Sequence, residues 1–284
     1  MQNLGTSETL VLREKTMSDY ELAHLRPDQI VQRLRRKPVV FIPVGPLEWH
    51  GPHMPYGTDA LNAAHLADEL CRRTGGLLWP TLFWGAERER RPDQLRSLGF
   101  PADQYVVGMD FPANSIKSCY CPEEVLAVLM REVLREARQL GARLAVIING
   151  HGATNQIATL KRLAIEISNT TDLKVCFRIA GPLAAIQAGS GGHADSDETS
   201  LMMHLGEAVD LKRLPALPEP LAYANHAVVD GGGFDGKSPD HLVPERCDPR
   251  RQASAGRGRE LYDITIAEIE DELKPLLANL SAKL

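Results

Sequence analysis

Apolar positions along this chain fall into two alternating patterns, short continuous runs and longer stretches with helical spacing. The run Val39–Val44 (VVFIPV) is short and β-branched, like a strand buried on both faces, and Gly45-Pro46 ends it. From Ala60 to Arg73 apolar residues recur at helical spacing until Gly75-Gly76 stops the pattern. Leu77–Phe83 reads as a second strand. Pro122 suits a first helical turn, with Glu123 and Glu124 beside it to complement the dipole. Val125, Val128, Leu129, Val133, Ala137 and Leu140 then make one apolar stripe, closed by Gly141. Leu144–Ile148 reads as a strand, about Thr154 to Ser168 as a helix and Val175–Ile179 as a strand; further helices begin near Glu198 and span Ala255–Leu277. This alternation predicts an α/β fold with right-handed crossovers and a mostly parallel sheet covered on both faces.

Two regions stand outside the alternation. Residues 1–36 are polar, with a short amphipathic piece ending in Arg33, Arg35 and Arg36. Residues 86–110 are charged and punctuated by Pro and Gly, and read as a surface excursion. With no internal repeat or linker, residues 1–284 are expected to form a single domain.

Composition narrows the function classes. Hydrophobic residues make up 43% of the chain and charged residues 24%, which suits a soluble globular domain. A formal net charge of −5 argues against a phosphate-tracking surface, so nucleic acid is not an expected partner. The five cysteines are scattered and odd in number, and imply no disulfide framework. No basic start followed by an apolar run marks a signal peptide, and no apolar stretch approaches the roughly 18 residues of a membrane span. The expected compartment is the cytoplasm.

Chemistry concentrates after the strands, where ligands bind in sheets of this kind. Glu48-Trp49-His50, Pro52-His53 and Gly57-Thr58-Asp59 follow the first strand. Asn149-Gly150-His151-Gly152 follows Leu144–Ile148, and His193-Ala194-Asp195-Ser196-Asp197-Glu198-Thr199-Ser200 follows Val175–Ile179 and a Gly-rich loop. Imidazole and carboxylate together are a ligand set for zinc, manganese or iron(II), and a carboxylate between two ions can bridge them. Each residue also has an ordinary reading. Asp59 can cap the next helix, His151 can sit in a tight turn, and Glu198 can be first-turn helix chemistry. These readings must all hold at one edge of one sheet.

The run Gly45-Pro46-Leu47-Glu48-Trp49-His50-Gly51-Pro52-His53-Met54-Pro55 with Gly57-Thr58-Asp59 resembles the first metal motif of the creatininase (creatinine amidohydrolase) family. Asn149-Gly150-His151-Gly152 with Asn155 resembles its second, and His193–Ser200 its third. Phe111-Pro112-Ala113-Asn114-Ser115 stands in the place of a fourth segment, and Asp248-Pro249-Arg250 through Gly258 is also family-like. The resemblance implies a three-layer α/β sandwich with a mainly parallel sheet. It implies two divalent ions per chain, Zn or Mn, with iron also suited to the donors. Glu48, Asp59 and His151 would hold one ion; His50, Asp59 and Glu198 would hold the other, with Asp59 bridging. His193 would be a catalytic or substrate-orienting imidazole, with Glu198 beside it. Creatininase carries a metal-binding Glu two residues after the second-motif His, and here that position is Ala153, so Glu198 completes the second site. Family members commonly form hexamers or other homo-oligomers.

The activity this implies is hydrolysis of an amide or cyclic amide C–N bond in a small polar substrate. The alternative within the family is C–C hydrolysis of a cyclic diketone such as 3-dehydro-scyllo-inosose. A non-catalytic binding module predicts degraded ligand positions, whereas all five are present. Gly231-Gly232-Gly233-Phe234-Asp235-Gly236-Lys237-Ser238 fits a P-loop pattern, but Pro239 and Pro244 leave little room for the helix a P-loop requires, and a loop near the cleft is the expectation. Cys119 and Cys121 lack a partner motif, and Trp49 is a better cleft residue than Trp84.

Overall fold

The chain forms α1 (Pro27–Arg36), β1 (Val39–Val44), α2 (Thr58–Thr74), β2 (Leu77–Leu78), α3 (Pro92–Ser97), α4 (Glu123–Leu140), β3 (Leu144–Asn149) and α5 (Thr154–Thr170). Then follow β4 (Lys174–Ile179), α6 (Leu183–Gln187), α7 (Ser196–Leu205), β5 (Ala222–Ala224), β6 (Ala227–Val229), α8 (Pro249–Gln252) and α9 (Ala255–Ser281). The computed structural model describes residues 20–187, 192–224, 227–229 and 243–281. The loop Gly231–Ser238 lies outside them. β6, which precedes that loop, pairs antiparallel with β5 rather than joining the parallel sheet.

β1, β2, β3 and β4 form one parallel sheet in the order β2-β1-β3-β4. Alternate side chains divide it between two cores, as the two-residue period of a strand requires. Phe41, Val146 and Ile148 face α2, α7 and α9, while Val40, Ile42, Ala145 and Ile147 face α4 and α5. This is a three-layer α/β sandwich. Every residue of β1 and β3 is buried, so these two strands tolerate little change in volume. From β1 the chain crosses to β2 on one side and then returns past β1 to β3 on the other. The order of the sheet therefore reverses between β1 and β3, and it is outside the carboxyl ends at such a point that sheets of this kind bind ligands.

Three expectations change. The strand Leu77–Phe83 shortens to Leu77–Leu78, because the chain leaves the ladder at Pro80 and Thr81. The segment still tracks β1: Trp79 N donates to Phe41 O (2.8 Å) and Leu82 N to Pro43 O (3.0 Å). Pro43 can occupy this interior strand because its missing donor faces that break. On α4 the buried stripe is Leu126, Met130, Val133, Leu134 and Ala137; Val125, Val128 and Leu140 are exposed. The 86–110 region is more than a surface excursion. Leu95, Leu98, Phe100, Val106, Met109 and Phe111 form a small core of their own, and Arg90 is buried with Nε donating to Gly108 O (2.6 Å). Among the described residues no helix is long and apolar enough to cross a membrane.

Candidate metal centre

The loop after β1 carries Glu48 and His50, and the next helix begins so close that Asp59 falls in its first turn. Asp59 does not cap α2; Gly57 occupies the cap position, and the Asp59 side chain is buried and turned to two imidazoles. The loop after β3 carries His151. It reaches Asp59 because Gly150 lies flat against the α2 backbone, where a Cβ would stand 1.9 Å from Asp59 O. α7 supplies Glu198 in its first turn. Asp195 caps that helix, accepting from Asp197 N (2.9 Å) and Glu198 N (3.2 Å).

All five predicted ligands meet. His50 Nε2 lies 3.2 Å from Asp59 Oδ1 and 3.7 Å from Glu198 Oε2. His151 Nδ1 lies 2.9 Å from Asp59 Oδ2 and 3.2 Å from Glu48 Oε2. The ligand atoms of Glu48, Asp59 and His151 lie within 4.8 Å of one another, as do those of His50, Asp59 and Glu198. His193, with Glu48 and His50, forms a third such group, its ring centroid 4.1 Å from that of His50.

Hydrogen bonds select the tautomers. His50 Nδ1 donates to Glu48 O (3.1 Å), which leaves Nε2 facing the carboxylates. His193 Nε2 donates to Trp49 O (2.6 Å), so its Nδ1 carries the lone pair. Trp49 thus joins the site through its backbone; its ring is buried, whereas Trp84 is 48% exposed. His53 Nε2 donates to Thr199 Oγ1 (3.0 Å), tying the first motif to α7.

Burial opposes charge throughout the cluster, and the imidazoles offset it for two carboxylates. Against burial, the adjacent His50 and His151 hold Asp59 far below the usual carboxylate range, and His151 keeps Glu48 low as well. Burial likewise opposes His50 and His151, but Asp59 and Glu198 push His50 up to about 10, and Glu48 and Asp59 raise His151 well above its ordinary value. Glu198 is the exception: burial pushes its carboxyl up to about 8. Burial and the neighbouring His50 depress His193 to about 4, so it stands neutral. Three carboxylates facing two imidazoles, with Glu48 and Asp59 buried and Glu198 half-buried, need positive charge, which protons supply here and cations can supply in their place. His50 Nε2 is buried and makes no hydrogen bond among the described residues despite its three carboxylate neighbours. An imidazole nitrogen aimed into a carboxylate cluster, once a cation displaces its proton, is the donor arrangement of an N,O-ligated divalent ion.

Two residues that sequence reasoning passed over complete the surroundings. Tyr120 donates its hydroxyl to Glu48 Oε1, delivered there by the antiparallel bridge between Leu47 and Cys119. Glu87 Oε2 lies 3.9 Å from His151 Nε2. Neither position carries a local signal, since the contacts arise from segments 72 and 64 residues away in sequence (120 − 48 and 151 − 87). Asp195 was legible as a cap, an Asp three residues before Glu198.

A creatinine amidohydrolase from Pseudomonas putida is 25% identical over 253 residues, 83% of this chain and 88% of that one. A 2-amino-5-formylamino-6-ribosylaminopyrimidin-4(3H)-one 5'-monophosphate deformylase from Methanothermobacter thermautotrophicus is 30% identical over 175 residues; this match spans only 61% of each chain. The crystal structure of a creatinine amidohydrolase superposes with a TM-score of 0.63 at 23% identity, covering 91% of this chain and 98% of that one, a likeness of fold. Related creatininase structures at TM-scores of 0.63 and 0.62, with 23% and 22% identity, are described as a Zn-Zn type and as a Mn form; each likewise covers 91% of this chain and 98% of the other. The family pattern described as creatinine amidohydrolase matches residues 23–273, and the chain belongs to the creatininase family.

Proposed function

We propose that this protein is a metal-dependent hydrolase that cleaves an amide or cyclic amide C–N bond of a small polar substrate. The observation that carries the reading is the sharing of Asp59 by two ligand groups, Glu48 with His151 on one side and His50 with Glu198 on the other. Those five residues would hold two divalent cations, with zinc and manganese the best match to the donors. When bound, such a pair polarises a substrate carbonyl and lowers the pKa of water. The relatives that act on creatinine and on a formylamino group support amide chemistry.

The chain's own residues have distinct parts. Asp59 and Glu48 are anionic and set the negative field of the site. His193 is neutral with its Nδ1 lone pair free of the Trp49 bond, so it can take a proton from water and return it to the leaving nitrogen. Glu198 is fixed by the Ala194 N–H, which donates to its Oε2 (2.6 Å). Ala194 holds φ of 52° to do so, a left-handed conformation kept beside the reacting groups. Residues 1–284 act as one cytoplasmic domain in this reading. In this reading the chain associates into a homo-oligomer, as the resemblance implies.

The test is hydrolysis by metal-loaded protein of a panel of lactams, formamides and cyclic ureas. Turnover that Asp59→Asn abolishes is the expected result. A loaded protein inert to all of them overturns the amide reading, and opening of 3-dehydro-scyllo-inosose instead would assign C–C cleavage.

A further inference from the structure

His151 uses only one ring nitrogen in the cluster. Its Nδ1 faces Asp59 and Glu48, while Nε2 on the far side of the ring is buried and has no hydrogen-bond partner among the described residues. A neutral imidazole that offers the Nδ1 lone pair must carry its proton on Nε2, and that N–H needs an acceptor. Histidine ligands meet this need by donating to a carboxylate, a carbonyl or water, which fixes the ring and makes the ligand nitrogen more basic. The carboxylate on that side of His151 is Glu87, with Oε2 at 3.9 Å.

The 86–110 region is built to keep Glu87 there. Arg88, the next residue, grips Glu123 on α4 through Nε (2.6 Å) and Nη2 (3.1 Å). Arg88 N donates to Glu87 Oε1 (2.7 Å), leaving Oε2 for the histidine. Across from it, Glu89 bridges Val107, and Gly108 N donates to Arg88 O (3.2 Å). Gly108 has φ of +53°, and a Cβ there would stand 2.4 Å from Glu87 Cγ and 2.7 Å from Tyr120 Oη. Glycine is thus required where Glu87 and Tyr120 close over the site from the same side.

We propose that Glu87 is a positioning residue that accepts the Nε2–H of His151 and thereby presents Nδ1 to a divalent cation. This rests on the metal-site reading above. Removing such a partner weakens metal binding by about tenfold to a hundredfold.

The experiment measures zinc and manganese affinity by chelator competition for the wild type, Glu87→Ala and Glu87→Gln, with thermal unfolding in EDTA as the check on folding. Glu87→Ala should bind about tenfold to a hundredfold more weakly, while Glu87→Gln, whose amide oxygen can still accept, should stay within about threefold of wild type. Nitrogen-15 spectra of the zinc-loaded protein should show the His151 proton on Nε2 in wild type and Glu87→Gln. Wild-type affinity in Glu87→Ala overturns the proposal. So does a Gln variant as impaired as Ala, which would make Glu87 a charge or a ligand rather than an acceptor. A wild-type protein that binds neither cation fails the metal-site reading itself, and is distinguished by that first measurement.

Discussion

His151 and Asp59 are 92 residues apart in the chain, yet His151 Nδ1 lies 2.9 Å from Asp59 Oδ2, on the segments that follow β3 and β1. The other oxygen, Oδ1, faces His50 Nε2 at 3.2 Å. One carboxylate thus serves two imidazoles that arrive on different loops, which is the geometry a bridging ligand needs. Asp59→Asn removes the charge while keeping the shape. Elemental analysis should find about two divalent ions per chain in wild type and a loss of both in the variant. Retention of one full equivalent in Asp59→Asn would show that Asp59 does not bridge.

The metal-free protein should weaken as pH rises. Asp59 and Glu198 raise His50 from 6.5 to about 10, so the stability it contributes is complete below 6.5 and lost as pH climbs through about 10. Burial raises Glu198 from 4.5 to about 8, so its penalty on the folded state grows across that window, in the same direction. Burial depresses His53 and His193 to about 4, which opposes this trend below 6.5, so the unfolding temperature in EDTA should fall between about pH 6.5 and pH 10. A cation must displace these protons, so its affinity should rise with pH over the same range. Titration calorimetry near neutral pH in buffers of different ionisation enthalpy should show protons released. Heats that do not change with the buffer would contradict the protonation states described for His50 and His151.

Tyr120→Phe keeps the ring and removes the hydroxyl that donates to Glu48 Oε1. Glu48 is 2% exposed and cannot recruit bulk water in its place. Losing a hydrogen bond to a buried charge costs about 1.5–3 kcal/mol. Urea unfolding of both proteins without metal measures the difference, and a change below about 0.5 kcal/mol would mean the bond contributes little.

Gly150 and Gly152 flank the same histidine and should respond oppositely to alanine. A Cβ on Gly150 meets the Asp59 carbonyl oxygen at 1.9 Å, a backbone atom that cannot swing aside, whereas a Cβ on Gly152 meets nothing within 4 Å. Gly150→Ala should cost at least about 3 kcal/mol or prevent folding, and Gly152→Ala should change stability by less than about 1 kcal/mol. Circular-dichroism melts of the two variants compare them. Equal stability would show that the β3–α2 approach is looser than 1.9 Å implies.

Strand and helix order was legible because buried strands and amphipathic helices differ in period. β1, β3 and β4 fall within a residue or so of their expected bounds, and α2 within two. The five candidate ligands were legible because each follows a strand, and parallel strands deliver their carboxyl ends to one rim. The failures have physical causes. α4 carries apolar residues on two adjacent stripes, one through Val125 and Val128 and the other through Leu126 and Met130. Both have helical spacing, so only the sheet beneath could choose between them. Leu77–Phe83 has strand composition, but the chain departs from β1 at Pro80 and Thr81, which periodicity does not register.

The sequence by itself determined the alternation of elements, and it determined the identity of the groups that can ligate, since side-chain chemistry and period are local properties. Tertiary structure decided which nitrogen of each histidine faces the carboxylates, how burial and neighbouring charge divide the protons among them, and that the 86–110 region folds on its own small core. It also decided that Glu87 and Tyr120 belong to the site. These depend on distances between residues remote in the chain, and such distances exist only once the sheet has brought its loops together.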